Sequence, residues 1–551
     1  MIELINVKLP LEAALEGGDE LILSALLKET GLKAHELRTY SLRKRALDAR
    51  KKHELSFVAS FILDAPSKEA KLLAQNKNVR DFDEQVYKPQ SSAHCKKAAL
   101  KLLPGINSEA RPIVVGAGCA GLFCALSLAQ AGLRPLVLER GKASKERTQD
   151  IDQFIQTAQL NTQSNIQFGL GGAGTFSDGK LTTNTKSIYH RYILDALVRA
   201  GAPQEISYLA KPHIGSDILP GVVEHLVKEI EQAGGEFHFN TQFIGFENSS
   251  LSSDILKIVT KNSISGAEQE FFATQIFLAC GHSARDTFKY LADKKLALEP
   301  KTFSMGFRIE HKQTHINEQQ YGAFASHPAL GAADYKLVHH LKNGRSAYSF
   351  CMCPGGTVVA AASEQNSVCT NGMSEYARNK ENANAGFLVA VNPSDLNPNN
   401  ILAGIELQRR CEHKAFIQAG STYKAPAQLV GDFLENKSSK GAGSVIPSYP
   451  LGVHWTCMNE LLPAYIIDCL KQSLPALGKK LPGFDDPEAV LTGVETRSSS
   501  PLRILRDKES CRSISHPLIT PCGEGAGYAG GIMSAAADGV RCAEAFMQLH
   551  A

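Results

Sequence analysis

The chain has 551 residues, 43% of them hydrophobic and 21% charged, with a formal net charge of +3. That length exceeds what one hydrophobic core serves and points to three structural units of ordinary globular composition. The charge is too small to imply nucleic acid or membrane by itself. Thirteen cysteines, odd in number and without a Cys-x-x-Cys pair, speak against both a disulfide framework and a zinc site. Met1-Ile2-Glu3-Leu4 lacks a basic segment followed by an apolar run, and the expected location is cytoplasmic.

In chain order, residues 2–9 read as a strand, 19–30 as an amphipathic helix ended near Gly31, and 55–63 as a second strand. Between them Arg43, Lys44, Arg45, Arg50, Lys51 and Lys52 crowd ten positions, relieved only by Asp48. This run is either a solvated helix or loop face, or an RNA-docking patch; only Tyr40 and Phe57 stand near as aromatics. Residues 93–103 lead through Pro104-Gly105 into a strand at 112–115. The uncharged stretch 112–133 has the length of a membrane span, but its glycine spacing and strand-then-helix pattern fit a buried βα unit better.

The pattern G-x-G-x-x-G occurs three times, and context decides its meaning. Gly116, Gly118 and Gly121 follow the strand and open a helix over 120–131 that begins at Ala120. A strand at 135–138 then ends in Glu139 and Arg140. Here Gly116 allows the tight turn, Gly118 admits a pyrophosphate, and Gly121 lets helix pack on strand. Glu139 can accept hydrogen bonds from a ribose diol. The second copy, Gly169, Gly171 and Gly174, has neither a leading strand nor a following helix. It nearly matches a P-loop ending in Gly179-Lys180, but Leu181 stands where a magnesium-binding hydroxyl is required. Gly172, Gly174, Ser177, Asp178, Gly179, Lys180 and Leu181 are therefore read as a glycine-rich loop lying against a flat ligand.

A helix over 217–233, a strand at 236–240 and a strand at 271–279 followed by Gly281 continue an α/β pattern. Residues 301–500 show turns and no nucleotide signature. The third copy, Gly525, Gly527 and Gly530, follows a strand at 517–520 and opens a helix over 532–547. No further strand or acidic residue completes a second dinucleotide unit after it.

The early fingerprint, the glycine-rich loop, the strand end Leu278-Ala279-Cys280-Gly281 and the late Gly523-Glu524-Gly525 helix start resemble the FAD-binding fold of glutathione-reductase-type flavoproteins. The likeness covers residues 111–300 and 510–551. It implies one Rossmann-like domain assembled from separated segments, with Gly523-Glu524 in place of a Gly-Asp pair near the ribityl chain. Gly530, Gly531 and Ile532 would then face the isoalloxazine. More narrowly, Gly172–Leu181, 211–215, 281–286, 349–356, 371–374 and 523–531 resemble the uncharacterised bacterial FAD-dependent dehydrogenases.

That resemblance implies an α/β protein with a small ferredoxin-like α+β domain (1–105), an FAD-binding domain in two parts (111–300 and 506–551) and an inserted α+β substrate or cap domain (301–505). The expected function is an FAD-dependent oxidoreductase moving hydride at flavin N5 to or from a small molecule. With no second Rossmann unit, NADH or NADPH would dock transiently across the flavin as reductant. An RNA-docking flavoprotein and a flavin sensor without turnover are the alternatives.

Each catalytic candidate has two readings. Cys351 and Cys353 bracket Met352 before a Pro354-Gly355-Gly356 turn, and form either a redox pair or a packing pair. His282 either moves a proton or holds its own loop. Arg497 either clamps an anionic substrate or stabilises a reduced flavin anion, or else joins a structural ion pair. Cys119 and Cys124, five apart on a helix and thus about 140° apart around it, belong to the core. Tyr528 either stacks near the flavin or caps the helix entry.

Overall fold

The computed structural model describes residues 1–83, 86–103 and 109–551; the expected Pro104-Gly105 connection lies outside the described residues. Ile2–Leu9, Asp19–Thr30, Thr39–Asp48, Ser56–Asp64, Glu69–Gln75 and Val79–Asp81 run strand, helix, strand, strand, helix, strand. The first strand sits between Ser56–Asp64 and Val79–Asp81, antiparallel to both, and Thr39–Asp48 forms an edge. This is the ferredoxin-like split βαβ arrangement.

The basic run is split. Arg43, Lys44 and Arg45 belong to the edge strand Thr39–Asp48, whose alternation is broken by a bulge between Leu42 and Lys44, and a bulge hides the period of two; Arg50, Lys51 and Lys52 lie on the exposed turn that follows. The strand docks onto the next unit: the Arg45 amide donates to Tyr208 O, and Ala210 donates to Arg45 O (2.8 and 2.9 Å). The Arg45 guanidinium lies over the Phe57 and Tyr208 rings, Arg43 lies over Phe82, and Arg50 is paired with Asp48.

In the second sheet Glu236–His238, Leu136–Leu138, Glu109–Val115, Glu268–Leu278 and Ile519–Pro521 run parallel. The first half of Glu268–Leu278 turns instead to Leu256–Asn262 and Thr241–Asn248, an antiparallel meander. The helices Cys119–Gln130 and Ile532–Leu549 pack closely on one another; a Cβ at Gly539 would sit 2.2 Å from Ala120 O. The uncharged stretch is thus a buried strand and helix, and among the described residues no helix is long and apolar enough to cross a membrane.

Residues 303–495 build a third sheet in the order Val338–His340, Ser346–Ala360, Asn382–Val391, Phe303–Lys312, Val490–Glu495, Ala425–Leu429, Val453–Trp455. Its chain enters and leaves through the antiparallel pair Leu298–Pro300 and Leu502–Ile504. The architecture is therefore α/β, with a nucleotide-type sheet assembled from separated segments and an extra sheet inserted between them. Pro354-Gly355-Gly356 is not a turn but the interior of the strand Ser346–Ala360. Its bare backbone faces protein: Cβ atoms at Gly355 and Gly356 would meet Arg378 O at 1.8 Å and Met373 O at 2.2 Å.

Candidate functional site

The three glycine patterns, far apart in sequence, meet in one place. Gly118 and Gly171 form a parallel bridge, and the Gly171 amide donates to Ala117 O at 2.8 Å. A Cβ on Gly174 would touch Cys119 Sγ at 3.0 Å and Ile532 Cγ1 at 3.5 Å. Gly523 approaches Ala120 (2.5 Å by the same construction), and Gly525 approaches Gly281 (2.5 Å). The starts of Cys119–Gln130 and Ile532–Leu549 are therefore neighbours, divided by the second glycine loop. Both helix N-termini carry positive potential and unpaired amides.

Gly116 and Gly121 are required by the protein itself. Gly116 has φ +102°, and Cβ atoms at the two positions would lie 2.5 Å from Ala279 O and 1.9 Å from Gly116 O. Gly118 is different: its added Cβ meets only Gly172 Cα, at 3.8 Å. Among the described residues, nothing lies within 4 Å of a Cβ placed on Gly530 or Gly531. Gly118, Gly530 and Gly531 thus leave open the space that an approaching phosphate or ring would take.

Glu139 is buried and takes three backbone amides, Ala117 on Oε2 (2.9 Å) and Gly141 and Gly169 on Oε1 (2.9 and 3.0 Å). A carboxylate offers about four acceptor positions, so one remains for a ribose hydroxyl. Arg140 is turned away to Asp286, with its guanidinium over Phe168. Close by, Ser144 Oγ, Gln163 Oε1 and Ser164 Oγ are buried without protein partners, which suits a polar ligand.

The second glycine loop is shaped by Arg147, which sequence reasoning missed. Fully buried, it donates to the carbonyls of Asn165, Ile166, Leu170 and Gly172 at 2.6–2.9 Å. Burial lowers its pKa to about 9, with Glu139 acting the other way. A readable signal existed: Arg147 shares the i, i+4, i+7 face of Ser144–Thr157 with the core residues Ile151 and Phe154, a charge where helical periodicity wants an apolar residue.

Downstream, Ser177 Oγ donates to Gly174 O and accepts the Gly179 amide (2.7 and 3.1 Å). The Leu181 amide bonds Pro212 O. Asp178 is buried, and burial pushes its pKa up; Lys180 (2.7 Å) and Arg378 (2.5 Å) overcome this and hold it at about 2. Arg378 comes from the inserted sheet region, so this contact ties the two units together. Lys180 thus answers a carboxylate of its own loop.

At the terminal helix start, Glu524 accepts the Gly531 amide at 3.3 Å, and burial raises its pKa to about 7 against the pull of Gly531 and Lys301. His282 Nε2 lies 3.8 Å from Glu524 Oε1. Burial, with Arg497, Arg285 and Lys301, lowers the imidazole to about 3, so it stands neutral. Cys119 is pushed up to about 12 by burial and by Glu524 and is an inert thiol.

Cys351 and Cys353 occupy a bulged part of Ser346–Ala360 beside the buried Arg308. Arg308 spans Glu495 (3.0 Å), Asn384 Oδ1 (2.8 Å), Cys351 O (2.6 Å) and Cys353 Sγ (3.3 Å). Lys180 faces both sulfurs electrostatically.

Arg497 is committed to protein. It makes two bonds to Glu412 (3.0 and 2.8 Å), with Ser363 and Ser283 on Nη1. Arg285 grips the same carboxylate from the nucleotide-sheet side at 2.7 and 2.9 Å. Burial would raise Glu412, but the two guanidiniums hold it well below the usual carboxylate range. This geometry answers to an ion pair between units and leaves no donor fork open for an anion. Tyr528 likewise turns from the site: it bonds Arg506 N and Ile504 O and lies under the Arg506 guanidinium at 3.7 Å.

Asp538, also unanticipated, accepts the Gly523 amide (2.8 Å) and pairs with Arg506 (2.5 Å), fixing the terminal loop from within its own helix. Cys522 and Cys542 flank it with metal-ligand spacing, but the Arg506 guanidinium, 3.2 Å from Cys542 Sγ, holds the position a cation would take.

Comparison with known proteins agrees with this anatomy. Residues 302–498 match the family described as "FAD-dependent protein, C-terminal domain-like", residues 111–149 an "FAD binding domain", and residues 1–61 a domain of unknown function. An uncharacterized protein of Clostridium beijerinckii is 41% identical over 546 residues, covering 98% of both chains. Among solved structures, a mutant of the halogenase PltM in complex with FAD matches at 11% identity and TM-score 0.35, over 80% of this chain and 68% of that one. A flavoprotein/dehydrogenase from Cytophaga hutchinsonii matches at 11% and 0.27, over about half of each chain (51% and 56%). Scores so low carry nothing about chemistry. The near-complete match to the C. beijerinckii protein and the FAD-domain matches do: this chain belongs to that family, one of uncharacterised FAD-binding oxidoreductases.

Proposed function

We propose that the protein binds FAD in the manner of glutathione-reductase-type flavoproteins and moves hydride between flavin N5 and a small-molecule substrate, with NADH or NADPH as transient reductant. The observation that carries this is the meeting of two helix N-termini at bare glycines, Gly118 and Gly531, with Glu139 buried at the strand end. The flavin would supply the two-electron chemistry.

The chain's own residues supply the rest. Gly118 and the start of Cys119–Gln130 would receive the pyrophosphate, and the fourth acceptor position of Glu139 a ribose hydroxyl. Glu524, beside the Gly531 amide and poised to titrate near neutral pH, would hold or give up a proton at the ribityl end. Neutral His282 next to it can accept or donate a hydrogen bond without adding charge. The Asp178–Arg378 and Glu412–Arg285/Arg497 contacts hold the inserted sheet against the cofactor side and so bound the substrate space. Thirteen free cysteines support a reducing, cytoplasmic setting.

The test has two stages. Purified protein is denatured and the released flavin identified; FAD at close to one per chain is expected. The holoenzyme is then mixed anaerobically with NADH and with NADPH. Bleaching of the flavin absorbance by one of them is the expected result, and failure with both removes the nicotinamide from the proposal.

A further inference from the structure

We propose that Cys351 and Cys353 are a two-electron thiol–disulfide pair that exchanges electrons with the flavin; this rests on the FAD reading above. In a regular strand, residues i and i+2 share a face about 6.6 Å apart, too far for a disulfide, whose Cβ atoms lie about 3.5–4.5 Å apart. The strand Ser346–Ala360 departs from regularity at this point. Its register against Asn382–Val391 shifts between Phe350 and Cys353 and again between Cys353 and Gly356. Cys351 has φ +40°, a left-handed conformation that is strained for a non-glycine residue. The outcome is that the Cys353 thiol turns back on its neighbour and donates to Cys351 O at 3.3 Å.

A pair that merely fills space needs neither strained backbone nor buried cations. Here Arg308 Nη2 lies 3.3 Å from Cys353 Sγ, and Lys180 faces both sulfurs from the glycine loop. The neighbouring Cys353 thiol pulls the Cys351 thiol down, against burial, and the two cations add to it, while Cys353 is pushed up. One thiolate and one thiol is the state from which a disulfide forms. The pair also lies toward the cofactor. Lys180 belongs to the loop that meets Gly118, and the charge of Cys351 helps raise Glu524, which stands beside Gly531.

The balance is simple. From one thiolate and one thiol, formation of the S–S bond releases two electrons and one proton. Bound oxidised FAD would be the acceptor for the electrons, the proton following them or passing to solvent. In reverse, two electrons from the reduced cofactor and one proton would open the bond to thiolate and thiol.

The experiment is an anaerobic dithionite titration of the air-oxidised holoenzyme, paired with alkylation and mass mapping of the peptide carrying both cysteines. The expected uptake is about four electrons per FAD in the wild type and about two in Cys351→Ser and Cys353→Ser, since each couple takes two. The oxidised peptide should resist alkylation and be lighter by two hydrogens, and reduction should expose both thiols. Uptake of about two electrons by the wild type, with both thiols alkylated in either state, overturns the proposal even if neither variant folds. A protein that releases no FAD overturns the cofactor reading instead, a separate result. In that case alkylation after diamide treatment still decides whether the bond forms, and two free thiols would overturn the pair.

Discussion

Glu139 Oε1 accepts the Gly169 amide at 3.0 Å, joining the first glycine fingerprint to the second across thirty residues of chain. The residue that ends the fingerprint is therefore also a scaffold for the loop facing it. Glu139→Gln would set an amide donor against backbone donors, at a cost of about 1–3 kcal/mol. Both melting temperature and FAD per chain should fall. A variant with unchanged melting behaviour but no FAD would show that Glu139 acts on the ribose alone.

The fingerprint glycines should separate by experiment. Gly116→Ala and Gly121→Ala place a Cβ within 2.5 Å of backbone oxygens and should fold poorly. Gly118→Ala meets nothing closer than 3.8 Å, so it should keep its thermal stability as apoprotein while losing FAD. Flavin content after gel filtration, beside apoprotein melting curves, checks this. Full FAD occupancy in Gly118→Ala would remove the pyrophosphate from this position.

Arg147→Met should destabilise the protein by roughly 3–5 kcal/mol, because it strands buried carbonyls that one guanidinium satisfies. Urea unfolding measures the loss, and flavin retention should fall with it. Arg147→Lys should rescue little, since an ammonium cannot span four carbonyls in a plane.

Glu412→Gln should cost about 3–5 kcal/mol as well, because it leaves Arg497 buried without its counter-charge and Arg285 with Glu364 alone. The effect should appear chiefly as early proteolysis between the nucleotide sheet and the inserted sheet. Limited proteolysis of the variant reads this directly; a wild-type digestion pattern would argue that the latch is dispensable.

Two buried histidines should make the fold sensitive to acid. Burial lowers His311 to about 4, and burial with neighbouring arginines lowers His282 to about 3, both from 6.5. Between those values the unfolded chain binds protons that the folded chain refuses. The histidines' contribution is therefore full above pH 6.5 and falls as pH drops, by about 1.4 kcal/mol per pH unit for each, while Glu524 and Glu495, raised by burial to about 7, act in the opposite direction over that range. Denaturant unfolding from pH 7 to 4.5 isolates the histidine part by comparison: His282→Asn and His311→Asn should each lose less stability with acid than the wild type. Asp178, held at about 2, works the other way only at lower pH: its contribution is lost as pH falls below the ordinary aspartate value.

Local periodicity was enough wherever one face of one element carried the pattern. Residues 19–30 form a helix at those bounds, and the strand–helix–strand around Gly116, Gly118 and Gly121 stands within two or three residues of its expected limits. The pattern failed where geometry interrupts it. The bulge between Leu42 and Lys44 concealed a whole strand. The strand Asn382–Val391, buried on both faces, shows no alternation to read, so the inserted sheet stayed invisible.

The glycine copies mark the boundary most clearly. The residues around each copy decide whether it opens a dinucleotide unit, because strand, turn and helix lie within one short stretch. That Gly171 bridges Gly118, that Gly174 fits between Cys119 and Ile532, and that Arg378, Arg497 and the Cys351–Cys353 pair come from another sheet are contacts between residues tens to hundreds of positions apart. Only packing creates such contacts. From the sequence alone the chain could therefore be read as a nucleotide-binding flavoprotein; tertiary structure decided which side chains hold its site together and which stand free to act there.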